Sequence, residues 1–308
     1  GGSLDNQITL NANLIDFPIG YNYTVDWGDG QLDTDIMGDI THDYAQSGTY
    51  KVIITGEYPQ IYFSGLNSDS KKLVNVERWG NNSWRSMKQA FRGTRDLRID
   101  ALDAPDFSFV KTMHNMFYEA INFQSEINHW DVSLVEDMSY MFHVTEDVNP
   151  NISDWTVSSV TNMESMFHGA FDFAPDLSRW NVSSVTNMSA MFLDVANFNS
   201  DIGNWNVENV TNMNYMFNSA SSFDQNLSEW NVSKVSGMDG MFQGVFLSVE
   251  NYSALLLGWS QKTLQHDVTF NAPNSQYANT LEVTEARENI RVNYNWTIED
   301  AGPVVEVP

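Results

Sequence analysis

The chain contains no cysteine. That excludes a disulfide framework and any thiolate metal site. Basic residues are scarce: 15 Lys and Arg stand against 40 Asp and Glu, for a net charge of −25. Such a balance opposes nucleic acid, whose phosphates need Lys and Arg to neutralise them, and disfavours anionic membrane surfaces. No run of about 18 apolar residues marks a membrane span. No signal peptide is evident, but the opening GGS reads as a cloning scar, so that absence says nothing about export. There is no HExxH, no G-x-S-x-G and no glycine-rich phosphate loop, and the six histidines are scattered along the sequence. The expectation is a protein that is not an enzyme. Paired carboxylates of the glycosidase type keep a carbohydrate-active enzyme as a remote alternative.

What remains is 308 residues with 42% hydrophobic content, rich in Trp, Phe, Tyr and Met. That is enough for two domains or one elongated array with a substantial core. Basic proteins, divalent cations and neutral ligands remain compatible with the acidity. Its simplest reading is a solvated coat that prevents self-association.

Residues 4–63 read as β-structure. QITLNANLI (7–15) partly alternates, and YNYTVDWGDG (21–30) runs a strand into an Asp29-Gly30 turn. In GTYKVIITG (48–56), Tyr50, Val52 and Ile54 share one face of a strand. The pattern predicts a small all-β sandwich over 1–63.

Beyond residue 64 the chain repeats itself. Trp130, Trp155, Trp180, Trp205 and Trp230 recur at a fixed step, as do Met138, Met163, Met188, Met213 and Met238. Met-Phe pairs end at Phe142, Phe167, Phe192, Phe217 and Phe242. HNMFYEA (114–120) and the degenerate WGNNSWRSMKQAF (79–91) bring the reading to about seven units of about 25 residues over 64–246. Within a unit such as LSRWNV (177–182), Leu177, Trp180 and Val182 have strand spacing. Val185, Met188, Met191 and Phe192 then follow at helical spacing. Ser133, Ser158, Ser183 and Ser233 stand where a helix should start, SLVE (133–136) has capping-box form, and Gly169 and Gly244 stand where it should stop. Each unit is expected to be one strand and one helix. Stacked units would give an α/β, right-handed strand–helix solenoid, with each Trp burying roughly 150–250 Å².

After Phe242 the pattern breaks. LSVENYSALLLGWSQKTL (247–264) reads as a helix, DVTFNAP (267–273) as a strand and VTEAREN (283–289) as a second helix, closing on YNWTIEDAG (294–302). This makes 247–302 a C-terminal cap. The last residues, 303–308, read as a linker to a longer multidomain chain.

VDWGDG, THDY (41–44) and GTYKVII together resemble the PKD-like β-sandwich domains of extracellular proteins. The pattern I/L-xx-W-xV-xxV-xxM-xxMF-xxA-xxF over 71–302 resembles the BspA-like leucine-rich repeats of bacterial surface proteins, also found in mycoplasma-type lipoproteins. The resemblance implies export, a place on the bacterial cell surface or outside the cell, and adhesion or partner binding. It carries over no catalytic residue. Pro105 in place of a Trp, and Val144-Thr145 in place of Gly-Ala, depart from the pattern and predict local irregularity.

Flanking Trp and Val, the outward residues of the expected strand face are His129, Asp131, Asp154, Thr156, Arg179, Asn181, Asn204, Asn206, Glu229 and Asn231. Such polar side chains suit hydrogen bonding to a protein or glycan over a broad surface, or are solvated edges of a sheet. The Thr-Asn pairs at 161–162, 186–187 and 211–212 read as polar first-turn residues of the helices. Asp26, Asp29, Asp33 and Asp35 crowd one turn and its sequel, and hard oxygen ligands of this kind suit calcium, although Asp-Gly turn chemistry explains much of the cluster. No other cofactor is expected. Charge is uneven: nine Lys and Arg lie in 71–111, whereas 112–178 holds eleven acids and no Lys or Arg. The functional expectation is a non-enzymatic extracellular or cell-surface binding module, with a structural spacer displaying distal domains as the alternative.

Overall fold

The structure is a computed structural model that describes residues 6–12, 21–63, 69–123, 125–146 and 148–305. The GGS opening, residues 13–15 of the first expected strand, the boundary at residue 64 and the last three residues of the expected linker lie outside these.

Two small antiparallel sheets form the N-terminal region. β1 (Gln7–Leu10) pairs with β4 (Ile40–Asp43), while β2 (Tyr23–Asp26) lies between β3 (Leu32–Ile36) and β5 (Ile53–Gly56). Period-two alternation in β2 turns Tyr23 and Val25 into the core, and Trp27 beyond it is also fully buried. The turn after Trp27 needs glycine at Gly28, where φ is +77° and a Cβ would lie 2.5 Å from the Lys51 carbonyl oxygen. The last strand is shorter than the sequence suggests, because 48–52 is not extended into the sheet.

The repeats pair side by side at the predicted step. Parallel bridges run Thr112–Asp137–Asn162–Asn187–Asn212–Gly237, each residue to its equivalent in the next unit. All of the repeat tryptophans are buried, Trp180 to 3% exposure, together with the Met, Val and Phe columns. The Phe rings stack from unit to unit, with Phe142–Phe167 at 5.8 Å and Phe167–Phe192 at 5.6 Å. At one end, the segment that follows β5 takes the place of a unit: Pro59 accepts from the Arg85 amide at 3.0 Å and Phe63 donates to the Gln89 carbonyl at 3.3 Å. A 3₁₀ turn (Ser70–Lys72) leads into the short parallel pair β6 (Asn75–Val76) and β7 (Arg98–Ile99).

The internal form of the units corrects the sequence reading. No α-helix occurs among the described residues of 79–246, and the Trp-x-Val segments are not strands. The bridges fall instead at the residue before the first Met of each unit, in the stretch expected to begin a helix. The physical cause is a left-handed residue inside every Met-x-x-Met-Phe. Gln89, Asn115, Tyr140, Ser165, Ala190 and Tyr215 have φ between 51° and 58°, and the glycine Gly240 has φ 64°. One such residue per turn stops α-helix propagation. The amides then bond outward: Met163 donates to Asn187 O at 2.9 Å and Phe167 to Met191 O at 3.0 Å, both in the next unit. The α/β class and the strand–helix solenoid of leucine-rich type are therefore not what forms; small sheets, bridges and tight turns are.

The C-terminal segment holds the two α-helices, α1 (Val249–Ser260) and α2 (Leu281–Asn293), capped by the Ser248 and Thr280 side chains. β8 (Thr269–Ala272) pairs in parallel with β9 (Thr297–Asp300) and takes over from the last repeat, since Phe242 donates to Asn271 O at 3.0 Å. Arg287 of α2 reaches Asp300 of β9 at 2.8 Å, and Tyr252 of α1 donates to the same carboxylate at 2.9 Å.

Candidate functional site

The ten residues flanking the tryptophans lie on the outside, as their alternation with buried Trp and Val requires. His129, Asp131, Asp154, Thr156, Arg179, Asn181, Asn204, Asn206 and Glu229 are exposed, and Asn231 is half-exposed. They form two rows, one on each side of the buried indoles.

Four of them line an open depression of about 300 Å³ over Trp155: Asp154, Thr156, Arg179 and Asn181, joined by Ser153 and Ser158. Asn128 donates from its side-chain amide to Asp154 at 2.7 Å, and the Arg179 guanidinium stands 3.7 Å from the same carboxylate. Both partners of that ion pair are mostly exposed, so it holds Arg179 only loosely.

A local role also engages this face. Asp131, Asn181, Asn206 and Asn231 each accept from the backbone amide two residues on, at 3.0–3.3 Å. These Asx turns carry the chain around the corner after four of the Trp-x-Val segments, the exception being the one with Thr156. Hydrogen bonds from Ser133 hold the Asp131 carboxyl below its usual range. An Asn used in this way accepts with its oxygen and keeps its amide N–H donors facing solvent.

The tryptophans beneath are anchored by their own polar atom. Trp155, Trp180, Trp205 and Trp230 donate from Nε1 to the carbonyls of Ile127, Ile152, Leu177 and Ile202 at 3.0–3.1 Å. Trp130 Nε1 is buried without such a partner, and Leu102, at the equivalent position 28 residues earlier, is fully exposed. At Val144, where irregularity is expected, the backbone follows the other units: its φ is 51°, and φ is also positive at Glu119, Gly169, Asp194, Ser219 and Gly244, so only the β-branched side chain is unusual.

The four N-terminal aspartates do not converge. Asp26 accepts from the Gly28 amide at 2.9 Å, Asp33 from the Trp27 indole at 2.7 Å and Asp35 from the Asn22 side chain at 3.4 Å. Asp29 lies 3.0 Å from His42 Nε2, whose ring stacks on Trp27. Among the described residues no three His, Asp or Glu side chains come together to hold a metal. The carboxylates act as turn and tether groups, and their arrangement does not fit a calcium cage.

The Thr-Asn pairs also lie on the outside but begin no helix. Thr161, Thr186 and Thr211 donate their hydroxyls to the carbonyls of Glu136, Thr161 and Thr186, each at 3.1 Å, tying unit to unit.

One cluster is not apparent from the linear sequence. Three of the scattered histidines, His114, His143 and His168, meet on the turn side of three successive units together with Tyr118 and Tyr140. The signal in the sequence is the residue that follows each Met-Phe: Tyr118, His143 and His168 stand there, where later units have Leu193, Asn218 and Gln243.

The fold and face describe an acidic repeat protein whose short units share one buried aromatic column. A family model described as "Mycoplasma protein of unknown function, DUF285" matches residues 85–194 and again 171–279, most of the repeat region and the start of the cap. The chain belongs to this family. No curated protein and no solved structure matches it. Among the described residues, no helix is long and apolar enough to cross a membrane.

Proposed function

We propose that this chain is the non-enzymatic binding segment of a protein displayed outside the cell, recognising a glycan or protein partner through the residues that flank the buried tryptophans. The observation that carries this reading is the depression over Trp155. There Thr156, Arg179 and Asn181 supply donors and Asp154 an acceptor, on a scaffold made rigid by the indole beneath. A mixed set of this kind suits the alternating hydroxyls of a neutral polysaccharide or the backbone of an extended peptide. The net charge of −25 works against polyanionic ligands. The sequence likeness of 21–56 to PKD-like modules, and of the repeats to bacterial surface repeats, supports a place outside the cell.

Glycan and peptide arrays probed with the wild-type chain, with Asn181→Arg and with Asn206→Arg provide the test. Binding that is lost on either substitution supports the reading. No binding on any array, with both variants indistinguishable from wild type, would sink it. The Asx turns favour a second reading, a spacer in which Asp131, Asn181, Asn206 and Asn231 serve the backbone alone. In that case a parent protein lacking 112–242 would retain full attachment.

A further inference from the structure

On the turn side of the repeats, one side chain per unit follows each Met-Phe, and these side chains touch from unit to unit. The Arg92 guanidinium lies over the Tyr118 ring at 4.6 Å, and Tyr118 stacks on His143 at 4.8 Å. The His143 and His168 rings stand T-shaped at 4.4 Å and 83°, and His168 Nε2 stands 3.7 Å from Asp194. A second row flanks them. His114 Nδ1 and the Ser139 hydroxyl are 2.7 Å apart, Tyr140 donates to Glu164 at 2.6 Å, and the Tyr140 and His143 rings form a T-shaped pair at 5.5 Å.

His143 has the least room to carry charge. Its Nδ1 is buried without a hydrogen-bond partner, it has aromatic rings on three sides, and one of those is a second imidazole. The charged groups facing the cluster do not compensate. Arg92 carries the wrong sign and lies beyond Tyr118, Glu164 is engaged by the Tyr140 hydroxyl, and Asp194 faces His168 only. The backbone here is held chiefly by hydrogen bonds to the following unit, such as Val144 N to His168 O at 2.7 Å. Separating the two imidazoles therefore strains those same bonds.

We infer that the His143–His168 pair is an acid-sensitive joint, which opens the turn side between these two units on protonation while the tryptophan side stays closed. Burial, and then His168, push the His143 imidazole down to about 4, and burial lowers His168 and His114 in the same direction. The unfolded or locally open chain takes up protons near the ordinary value of 6.5, so it binds more protons than the closed form below that pH. Closure therefore weakens as pH falls from about 6.5 and reaches its floor below about 4.

The molecule carries its own control. Leu193, Asn218 and Gln243 fill the same position in the next three units and cannot titrate. Amide hydrogen exchange of the full chain at pH 7.0 and 4.5, corrected for intrinsic rates, should show protection over 138–170 falling at least tenfold relative to 188–220. Replacing the pair as His143→Leu with His168→Asn, the residues that later units use, should remove that difference. Parallel protection of the two segments at pH 4.5 in the wild-type chain overturns the inference without recourse to a variant. So does an unchanged difference in the double variant.

Discussion

The indole N–H of Trp180 donates to the carbonyl of Ile152, 28 residues earlier, at 3.1 Å. Trp130 occupies the same place in its own unit and is equally buried, but its N–H has no acceptor. The pair separates burial from hydrogen bonding within one molecule.

Trp180→Phe and Trp130→Phe remove a similar volume, but only the first breaks a buried hydrogen bond; the Ile152 carbonyl keeps its bond from the Trp155 amide at 3.2 Å, while the second relieves an unpaired buried N–H. The expected difference is about 1–2 kcal/mol, with Trp180→Phe the less stable. Urea unfolding followed by circular dichroism gives both values, and equal losses would refute the assignment.

Val144 holds a left-handed backbone conformation at a position filled by Gly169 and Gly244 in other units. Val144→Gly should therefore stabilise the chain or leave it unchanged, by about 0–1 kcal/mol, since the relief of roughly 1–2 kcal/mol of backbone strain outweighs the flexibility added to the unfolded state. A fall in the thermal midpoint would show that the packing of its side chain matters more.

In the cap, Asp300 is 2% exposed and relies on Arg287 for charge. Arg287→Met should cost about 3 kcal/mol, because it strands a buried carboxylate. Adding Asp300→Asn should recover more than half of that loss. Failure to recover in the double variant would mean that Arg287 acts through its packing over Tyr277 instead.

Asp131 titrates low because Ser133 donates to it. A lowered carboxyl favours the folded chain above its ordinary value of 3.8, and that support is lost as pH falls through the depressed value. Ser133→Ala should move the Asp131 carboxyl back up toward 3.8, as read by carbon-detected NMR titration, while Asp176, held by Ser178, stays where it was.

The spacing of Trp, Met and Phe in the sequence already implied a shared buried column, and Trp155, Met163 and Phe167 all lie in it. The cap was also legible, because Ser248 and Thr280 start α1 and α2 by ordinary capping chemistry. The helix in each unit was not. The left-handed positions are occupied by Gln89, Tyr140, Ser165, Ala190 and Tyr215, none of which signals positive φ; Asn115 and Gly240 do so, in two units alone. Helical spacing of apolar residues and a tight turn that lays the same residues against a neighbour give the same pattern on paper. The exposed rows around Trp155 and Trp180 follow from burial alternation alone. The depression between Asp154 and Arg179 depends on how two units meet, which no single unit encodes.

Because alternate amides of each Met-x-x-Met-Phe, such as those of Met163, Ser165 and Phe167, are satisfied by the unit that follows, no unit is complete in itself. Excising one whole period, such as 163–187, would rejoin donors with acceptors of the same kind and leave the core continuous. Deleting twenty-four residues instead would shift every downstream partner by one place. This protein can therefore be lengthened or shortened only in whole steps, and its reach is a quantity counted in repeats.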